Sequence, residues 1–399
     1  PLLNERLPLT IRDEEIDTEV VEGAKPIRRS SPGLQPWTPA ADVPVPQINL
    51  LSNGKMVSRI TDHGAGDISW SGLSLTRWRP DATRDHWGYR IFLRDEESRD
   101  VWPVSVGENN VADVESRVVY YPHKVEFSRR MAGLFVRTEA CVAAADDVDL
   151  RRVEIQNESG RKRRITLTSF AEIVIADPPA DAMHPAFEKL FVQSRYDAEL
   201  NMLEFRRRRR SHKEKPVVVG HCGFNERRVR QPDMFETDRN RFLGRGGDIS
   251  RPAALAGAHL SGTLGHTLDP AQVIQVSVTL RPYATRTVNF LTAVADSADK
   301  VRETIARYHN DASCRWTLRE AGNEHRRELA AMGINPASMA AIQRLYSEIQ
   351  YPNGGMRSAR HHQGTLKLQQ PDLWSFGISG DFPILLLFLH ETDETDLLG

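Results

Sequence analysis

Trp78, Trp87 and Trp102 stand close together in the sequence among Arg77, Arg79, Arg84, Asp81, Asp85 and Asp95. Carbohydrate sites use this mixture. An aromatic face stacks on the apolar face of a sugar, and charged groups hold its hydroxyls by paired hydrogen bonds. The same residues also suit a sandwich core whose ion pairs tie down a long loop, and composition alone favours that reading. A second candidate is Gly377-Ile-Ser-Gly-Asp381, just ahead of an apolar run. Its glycines permit a tight turn or a close approach to a ligand, and Asp381 could accept from two sugar hydroxyls. Ser379 or Asp381 could equally cap the helix that follows.

Other clusters say less. Arg206 through Arg210, with His212, Lys213 and Lys215, is flanked by Glu204 and Glu214. It reads as a solvated edge strand or hairpin tip rather than a nucleic-acid patch. His184, His221, His259, His266 and His361-His362 show no metal-ligand spacing, so no metal is expected. Gly244-Arg-Gly-Gly247 lacks the Lys-Ser/Thr end of a phosphate loop. Glycoside chemistry needs two facing carboxyls. The dense acidic groups are Asp95-Glu96-Glu97, Asp146-Asp147 and Glu391 to Glu394, and none reads as a buried catalytic acid.

Bulk properties narrow the class. The 399 residues carry a net charge of -1, which gives no pull toward nucleic acid. Cys141, Cys222 and Cys314 are odd in number and far apart. Buried thiols in a reducing compartment fit best. The longest apolar run, Phe382 to Leu389, is too short to span a bilayer. Pro1-Leu-Leu-Asn-Glu-Arg6 lacks the layout of a signal peptide. With no initiator Met, and an end soon after an apolar run begins, the chain is expected to be a soluble piece of a longer polypeptide.

The elements that must position these residues follow from periodicity. Residues 1–48 are polar and rich in proline and read as an extended surface segment. From 49 to 296 the pattern alternates with period two. Val125 and Phe127, Leu134, Val136 and Thr138, Val153 and Ile155, and Ile165 and Leu167 all show it. Ile274, Val276, Val278 and Leu280, then Val288 and Phe290, continue it. A large antiparallel two-sheet sandwich fits this span, since no linker composition divides it. From 297 to 352 the spacing becomes helical, with Val301, Ile305 and Tyr308, then Met339, Ile342, Leu345 and Ile349. The second apolar face is expected to pack on the sandwich. Residues 353–399 read as a polar loop and the start of a last helical element.

A set of motifs resembles the cyclic β-1,2-glucan synthase family. They are Leu51-Ser-Asn-Gly54, Thr76-Arg-Trp-Arg-Pro-Asp-Ala-Thr-Arg-Asp85, Trp87-Gly88, Phe92-Leu-Arg-Asp95 and Leu150-Arg-Arg-Val-Glu-Ile155. Ser169-Phe-Ala-Glu-Ile173, Ala182-Met-His-Pro-Ala-Phe187, Glu236-Thr-Asp-Arg239, Arg241-Phe-Leu-Gly-Arg245 and Trp374 to Ile384 continue the likeness. It covers residues 49–390 in order, and residues 360–372 depart from it. The relevant part is the middle, transglycosylating region, similar to the cellobiose and cellodextrin phosphorylases of glycoside hydrolase family 94.

The resemblance implies a mainly β chain. Its fold would be a galactose-mutarotase-like β-supersandwich, then linker helices, then the truncated start of an (α/α)6 barrel. It implies intramolecular transglycosylation that closes linear β-1,2-glucan into rings. It also implies a large parent protein at the cytoplasmic face of the bacterial inner membrane, with a segment that elongates chains from UDP-glucose and another that trims them. The partners would be β-1,2-glucan and the barrel in cis, with a homodimer as a further option and no cofactor. Catalytic residues are expected in the barrel, beyond Gly399, so this piece should be inactive alone. Trp374, Ser379 and Asp381 are carried over as the edge of the glucan site. The alternatives are a β-glycoside phosphorylase of the family 94 type and a non-catalytic carbohydrate-binding sandwich.

Overall fold

A computed structural model describes residues 34–40, 43, 45–83, 85, 87–105, 115–212, 214–226, 234–257, 260–351, 369–380 and 384. The chain first lays down a meander of β1 (Ile48–Ser52), β2 (Met56–Thr61), β3 (Gly66–Trp70) and β4 (Leu73–Thr76), then a hairpin of β5 (Arg90–Asp95) and β6 (Val101–Pro103). A second meander follows, β7 (Glu115–Tyr120), β8 (Val125–Met131), β9 (Leu134–Val142) and β10 (Val148–Asn157). β11 (Arg163–Ala176) crosses back to the first group. Two short helices, α1 (Pro178–Met183) and α2 (Pro185–Lys189), lead to β12 (Val192–Asp197), β13 (Met202–Arg207) and β14 (Val218–Asn225). β15 (Phe235–Asp238), α3 (Arg239–Leu243), α4 (Ala253–Ala256), β16 (Pro270–Leu280) and β17 (Thr285–Ala295) complete the β region.

Among the described residues these strands form two antiparallel sheets. The nine-stranded sheet runs β1-β2-β3-β4-β11-β16-β15, with β5 paired to β11 and β6 paired to β5. The eight-stranded sheet runs β12-β13-β14-β17-β10-β9-β8-β7. Period-two alternation explains the packing, because successive side chains on a strand point to opposite faces. Leu51, Ile60, Ile165 and Leu167 of one sheet meet Val136, Val153 and Phe290 of the other in the main core. The outward residues of the eight-stranded sheet, Cys141, Leu150 and Leu291, are covered by helices. On the nine-stranded sheet, Phe92 and Phe170 are covered by Phe242, Leu243 and Leu255.

Three longer helices follow. α5 (Ala298–Tyr308) starts at Ser297, whose side chain caps the Lys300 N–H. Its Val301, Ile305 and Tyr308 lie on the eight-stranded sheet. Gly220 of β14 permits this approach. A Cβ there would stand 2.4 Å from Val301 Cγ1. α6 (Asp311–Ala331) is capped by Asn310 and adds Cys314, Leu318 and Ala321 to the same layer. α7 (Pro336–Gln350) crosses to the other sheet. The three cysteines are free and buried in this helix-covered layer.

Sheet edges expose unpaired backbone groups that invite aggregation. Two of them are covered here. Trp37 exchanges backbone hydrogen bonds with Tyr120 of edge strand β7 at 2.9 and 2.8 Å. On edge strand β1, the Ile48 N–H donates to Ser347 Oγ at 2.8 Å and the Leu50 N–H to Gln343 Oε1 at 2.9 Å. Gln343 Nε2 donates back to the Leu50 carbonyl at 3.1 Å. Gln343 and Ser347 are one helical turn apart, so α7 stands in for a neighbouring strand.

This corrects one expectation. The apolar stripe Met339, Ile342, Leu345 and Ile349 is not what meets the sandwich. The polar face with Gln343, Tyr346 and Ser347 docks, and Ile342 and Ile349 remain 45% and 36% exposed. The backbone of an edge strand calls for hydrogen-bonding side chains, which the apolar stripe lacks. Met339 and Leu345 are half-buried.

The arginine run is also corrected in part. β13 lies inside its sheet between β12 and β14, so it is no edge strand. The run leaves the strand at Arg207 and enters the β13–β14 connection, where Arg208 to Arg210 are exposed.

Candidate functional site

The tryptophan-rich stretch begins where β4 ends. Arg77 is buried and donates to Glu172 at 2.9 Å and to both carboxylate oxygens of Asp181, at 3.0 Å to Oδ2. It ties the loop to β11 and α1. Trp78 lies under the Arg59 guanidinium, 5.2 Å away, and edge-on to Tyr351 at 6.0 Å. Arg79 covers Trp87 at 5.5 Å. Trp102 packs against the main core. Asp81 accepts from the Thr83 N–H and hydroxyl at 2.9 and 2.7 Å. Asp95 is fully buried against Arg163. Arg84 lies outside the described residues. The members are thus spread over several packing and ion-pair contacts. Among the described members these contacts hold a loop in place.

Asp85 is the most unusual member. It is buried at a positive φ of 45°, accepts from Thr61 Oγ1 at 2.6 Å, and offers its backbone carbonyl to Arg90. Burial pushes its carboxyl up to about 6, against the pull of Arg90 and the Thr61 hydroxyl. Next to it the chain makes a very tight backbone approach. A Cβ at Gly88 would stand 1.9 Å from the Gly66 carbonyl oxygen. Only glycine fits there, which is why Trp87-Gly88 reads as a motif.

A Ser–His pair lies deep in the sandwich. His221 is fully buried, with Nε2 2.8 Å from Ser169 Oγ and Nδ1 3.0 Å from Thr292 Oγ1. Burial drives its pKa down to about 3, so the ring is neutral. No substrate reaches it, and Thr292 stands where a nucleophilic triad would have a carboxylate. The pair is a satisfied core contact. Among the described residues no group of three or more His, Cys, Asp and Glu could hold a metal ion. His259, His361 and His362 lie outside the described residues, as do the Glu391 to Glu394 cluster and the run from Leu385 to Leu389.

The second candidate is a small knot. α8 (Gln370–Leu373) runs into a 3-10 turn at Trp374–Phe376. Gln369 and Asp372 form a reciprocal capping box, with the Gln369 N–H donating to Asp372 Oδ2 at 2.6 Å. Gly377 and Gly380, at φ 72° and 73°, turn the chain back. Trp374 Nε1 then donates to the Ser379 carbonyl at 3.3 Å, and Gln370 Nε2 donates to the same oxygen at 2.9 Å. Trp374 and Ser379 are therefore brought together, while Asp381 lies outside the described residues. Trp374 is 63% exposed and Phe376 79% exposed. Two rings held on a short turn suit stacking on the apolar face of a sugar. Sequence reasoning missed Phe376, although it lies two residues after Trp374 in the same motif.

Two facing sheets of this size, with helices on the outer faces and a helix across one edge, define a β-supersandwich. The chain belongs to the glycosyl hydrolase 94 supersandwich domain family, which matches residues 36–311. It is 33% identical to the cyclic β-(1,2)-glucan synthase NdvB of Rhizobium meliloti (strain 1021), over 87% of this chain and 12% of that protein. It is 25% identical to the solabiose phosphorylase of Paenibacillus borealis, over 65% of this chain and 33% of that one. The N,N'-diacetylchitobiose phosphorylase of Vibrio proteolyticus is 24% identical over 60% of this chain and 30% of its own length. A bacterial glucoamylase crystal structure with acarbose overlaps 78% of this chain and 43% of its own, at 8% identity and a TM-score of 0.44. The chain thus spans about an eighth of the synthase and about a third of each phosphorylase. Among the described residues no helix is long and apolar enough to cross a membrane.

Proposed function

We infer that this chain is the supersandwich and linker portion of a cyclic β-1,2-glucan synthase. The observation that carries the reading is its 33% identity to such a synthase along 87% of its length. Residues 49–296 form the scaffold, 297–352 the linker, and 353–399 the approach to an (α/α)6 barrel. The barrel performs the transglycosylation. The open stripe of Ile342 and Ile349 supports a helical partner on that side of α7, because such a face is stable only when covered. A second copy of the chain pairing there is the rival occupant. Trp374, Ser379 and Asp381 edge the glucan site, with Trp374 as a stacking platform. The whole protein works at the cytoplasmic face of the inner membrane.

The test uses the whole protein, barrel included, with linear β-1,2-glucan. Ring products formed without phosphate are expected. Trp374→Ala should lower kcat/KM about tenfold, since one lost stacking contact is worth roughly 1.4 kcal/mol. Turnover that requires inorganic phosphate would assign the protein to the phosphorylases instead, a reading supported by the two lower-identity relatives. Saturable glucan binding by residues 1–399 alone would favour a binding module.

A further inference from the structure

The arginine run and the short helices beside it form a surface that the glucan reading leaves unused. Between Glu204 and Lys215 the sequence holds seven basic and two acidic side chains, in a chain of net charge -1. Arg207 and Arg210 both pair with Glu188, Arg210 at 3.3 Å, so a single carboxylate serves two guanidinium groups. Arg208 and Arg209 are exposed, and among the described residues no carboxylate lies within ion-pair distance of either. The adjoining segment of α1 and α2 carries Met183, Phe187 and Leu190, which are 69%, 46% and 50% exposed. Phe187 and Phe191 meet edge to face at 5.1 Å. Arg210 covers Phe187 at 5.1 Å, while Arg207 and Arg208 cover Phe191 at 5.4 and 5.5 Å.

We propose that this patch docks on an anionic phospholipid surface. Headgroup phosphates meet Arg208 and Arg209, while Met183, Phe187 and Leu190 enter the interfacial layer. Basic groups beside exposed aliphatic and aromatic side chains are the composition of an interfacial contact, where electrostatic attraction and shallow apolar burial add. A nucleic acid would stack its bases on open ring faces. Here guanidinium groups already lie over Phe187 and Phe191. Met183 and Leu190 also gain nothing from a base or a sugar hydroxyl. The contact belongs to the sandwich itself and stands apart from the glucan reading.

Co-sedimentation of residues 1–399 with phosphatidylcholine vesicles, with and without phosphatidylglycerol, tests the proposal. Binding is expected only to the phosphatidylglycerol vesicles, and it should weaken as salt rises. The double substitution Arg208→Glu with Arg209→Glu should lower partitioning about tenfold or more. Phe187→Ser with Leu190→Ser should lower it by a similar factor while leaving the salt dependence in place. Thermal unfolding of both variants checks that the fold is kept. Three results would overturn the proposal: no binding to either vesicle, equal binding to both, or single-stranded RNA binding that needs the arginines and ignores the apolar pair.

Discussion

His221 sets a pH dependence that can be worked out group by group. In the unfolded chain a histidine titrates near pH 6.5, whereas the buried ring has been pushed down to about 3. Across that window the unfolded chain takes up a proton that the folded ring refuses. Stability therefore falls as pH drops, by up to ~1.4 kcal/mol per pH unit for this group. His123, pushed to about 3 by burial and then by Lys124, adds a contribution of the same sign. Asp85 opposes them. Its folded carboxyl, raised to about 6, keeps a proton that an unfolded aspartate loses near 4, so its share falls as pH rises between those values. Two histidines outweigh one aspartate, and stability should climb from pH 3 to 7. His221→Gln should flatten the slope by about one proton between ~3 and ~6.5. Urea unfolding at a series of pH values measures this, and an unchanged slope would show that the ring already titrates in the fold. Among the arginines of the tryptophan stretch, burial separates scaffold from surface. Arg77→Met leaves Asp181 buried without its cation and should cost roughly 3–5 kcal/mol. Arg79→Met, on the exposed side of Trp87, should stay within about 0.5 kcal/mol.

At the scale of elements, the hydrogen-bonding face of α7 matters more than its apolar one for the chain by itself. Replacing Gln343 and Ser347 together by alanine removes the side chains that pair with β1 at Ile48 and Leu50. The amides of those two residues should exchange faster with solvent, and the bared edge should promote self-association. Ile342→Ser with Ile349→Ser should leave the melting temperature of residues 1–399 nearly unchanged, because both side chains already face water. The same double change should disrupt the whole protein if a helical barrel covers that stripe. A third change probes the helix layer. Gly220→Ala forces a methyl against Val301 and Met202 and should cost about 1–3 kcal/mol by overpacking. None of this shows in periodicity. The spacing of Met339, Ile342, Leu345 and Ile349 correctly gives a helix and its apolar face. Which face docks depends on the unpaired backbone of β1, almost 300 residues away.

For the whole molecule, the sandwich was legible because its constraint is local. A strand between core and helix layer repeats every second residue, as β10 does with Val148 and Leu150 outward and Val153 and Ile155 inward. The candidate site was less legible because its cues are ambiguous one residue at a time. An arginine beside a tryptophan looks the same whether it binds sugar or, like Arg77, crosses to β11 and α1. Folding resolved that case in favour of scaffold and left Trp374 and Phe376 among the exposed rings. Their segment, residues 369–380, is exposed along nearly its whole length, and the hydrogen bonds that shape it close within a few residues of one another. Such a turn has little to hold it apart from its capping box and the Ser379 contacts. Its amides should therefore exchange rapidly in residues 1–399, while those of β10 and β17, paired along nearly their full length at the centre of a sheet, exchange slowest. In the whole protein the same turn should gain protection, and linear β-1,2-glucan should raise that protection further. Exchange measured on both, with and without glucan, reads the site without relying on turnover. A turn that stays equally open in all four samples would remove Trp374 and Ser379 from the glucan site while leaving the family and the fold untouched.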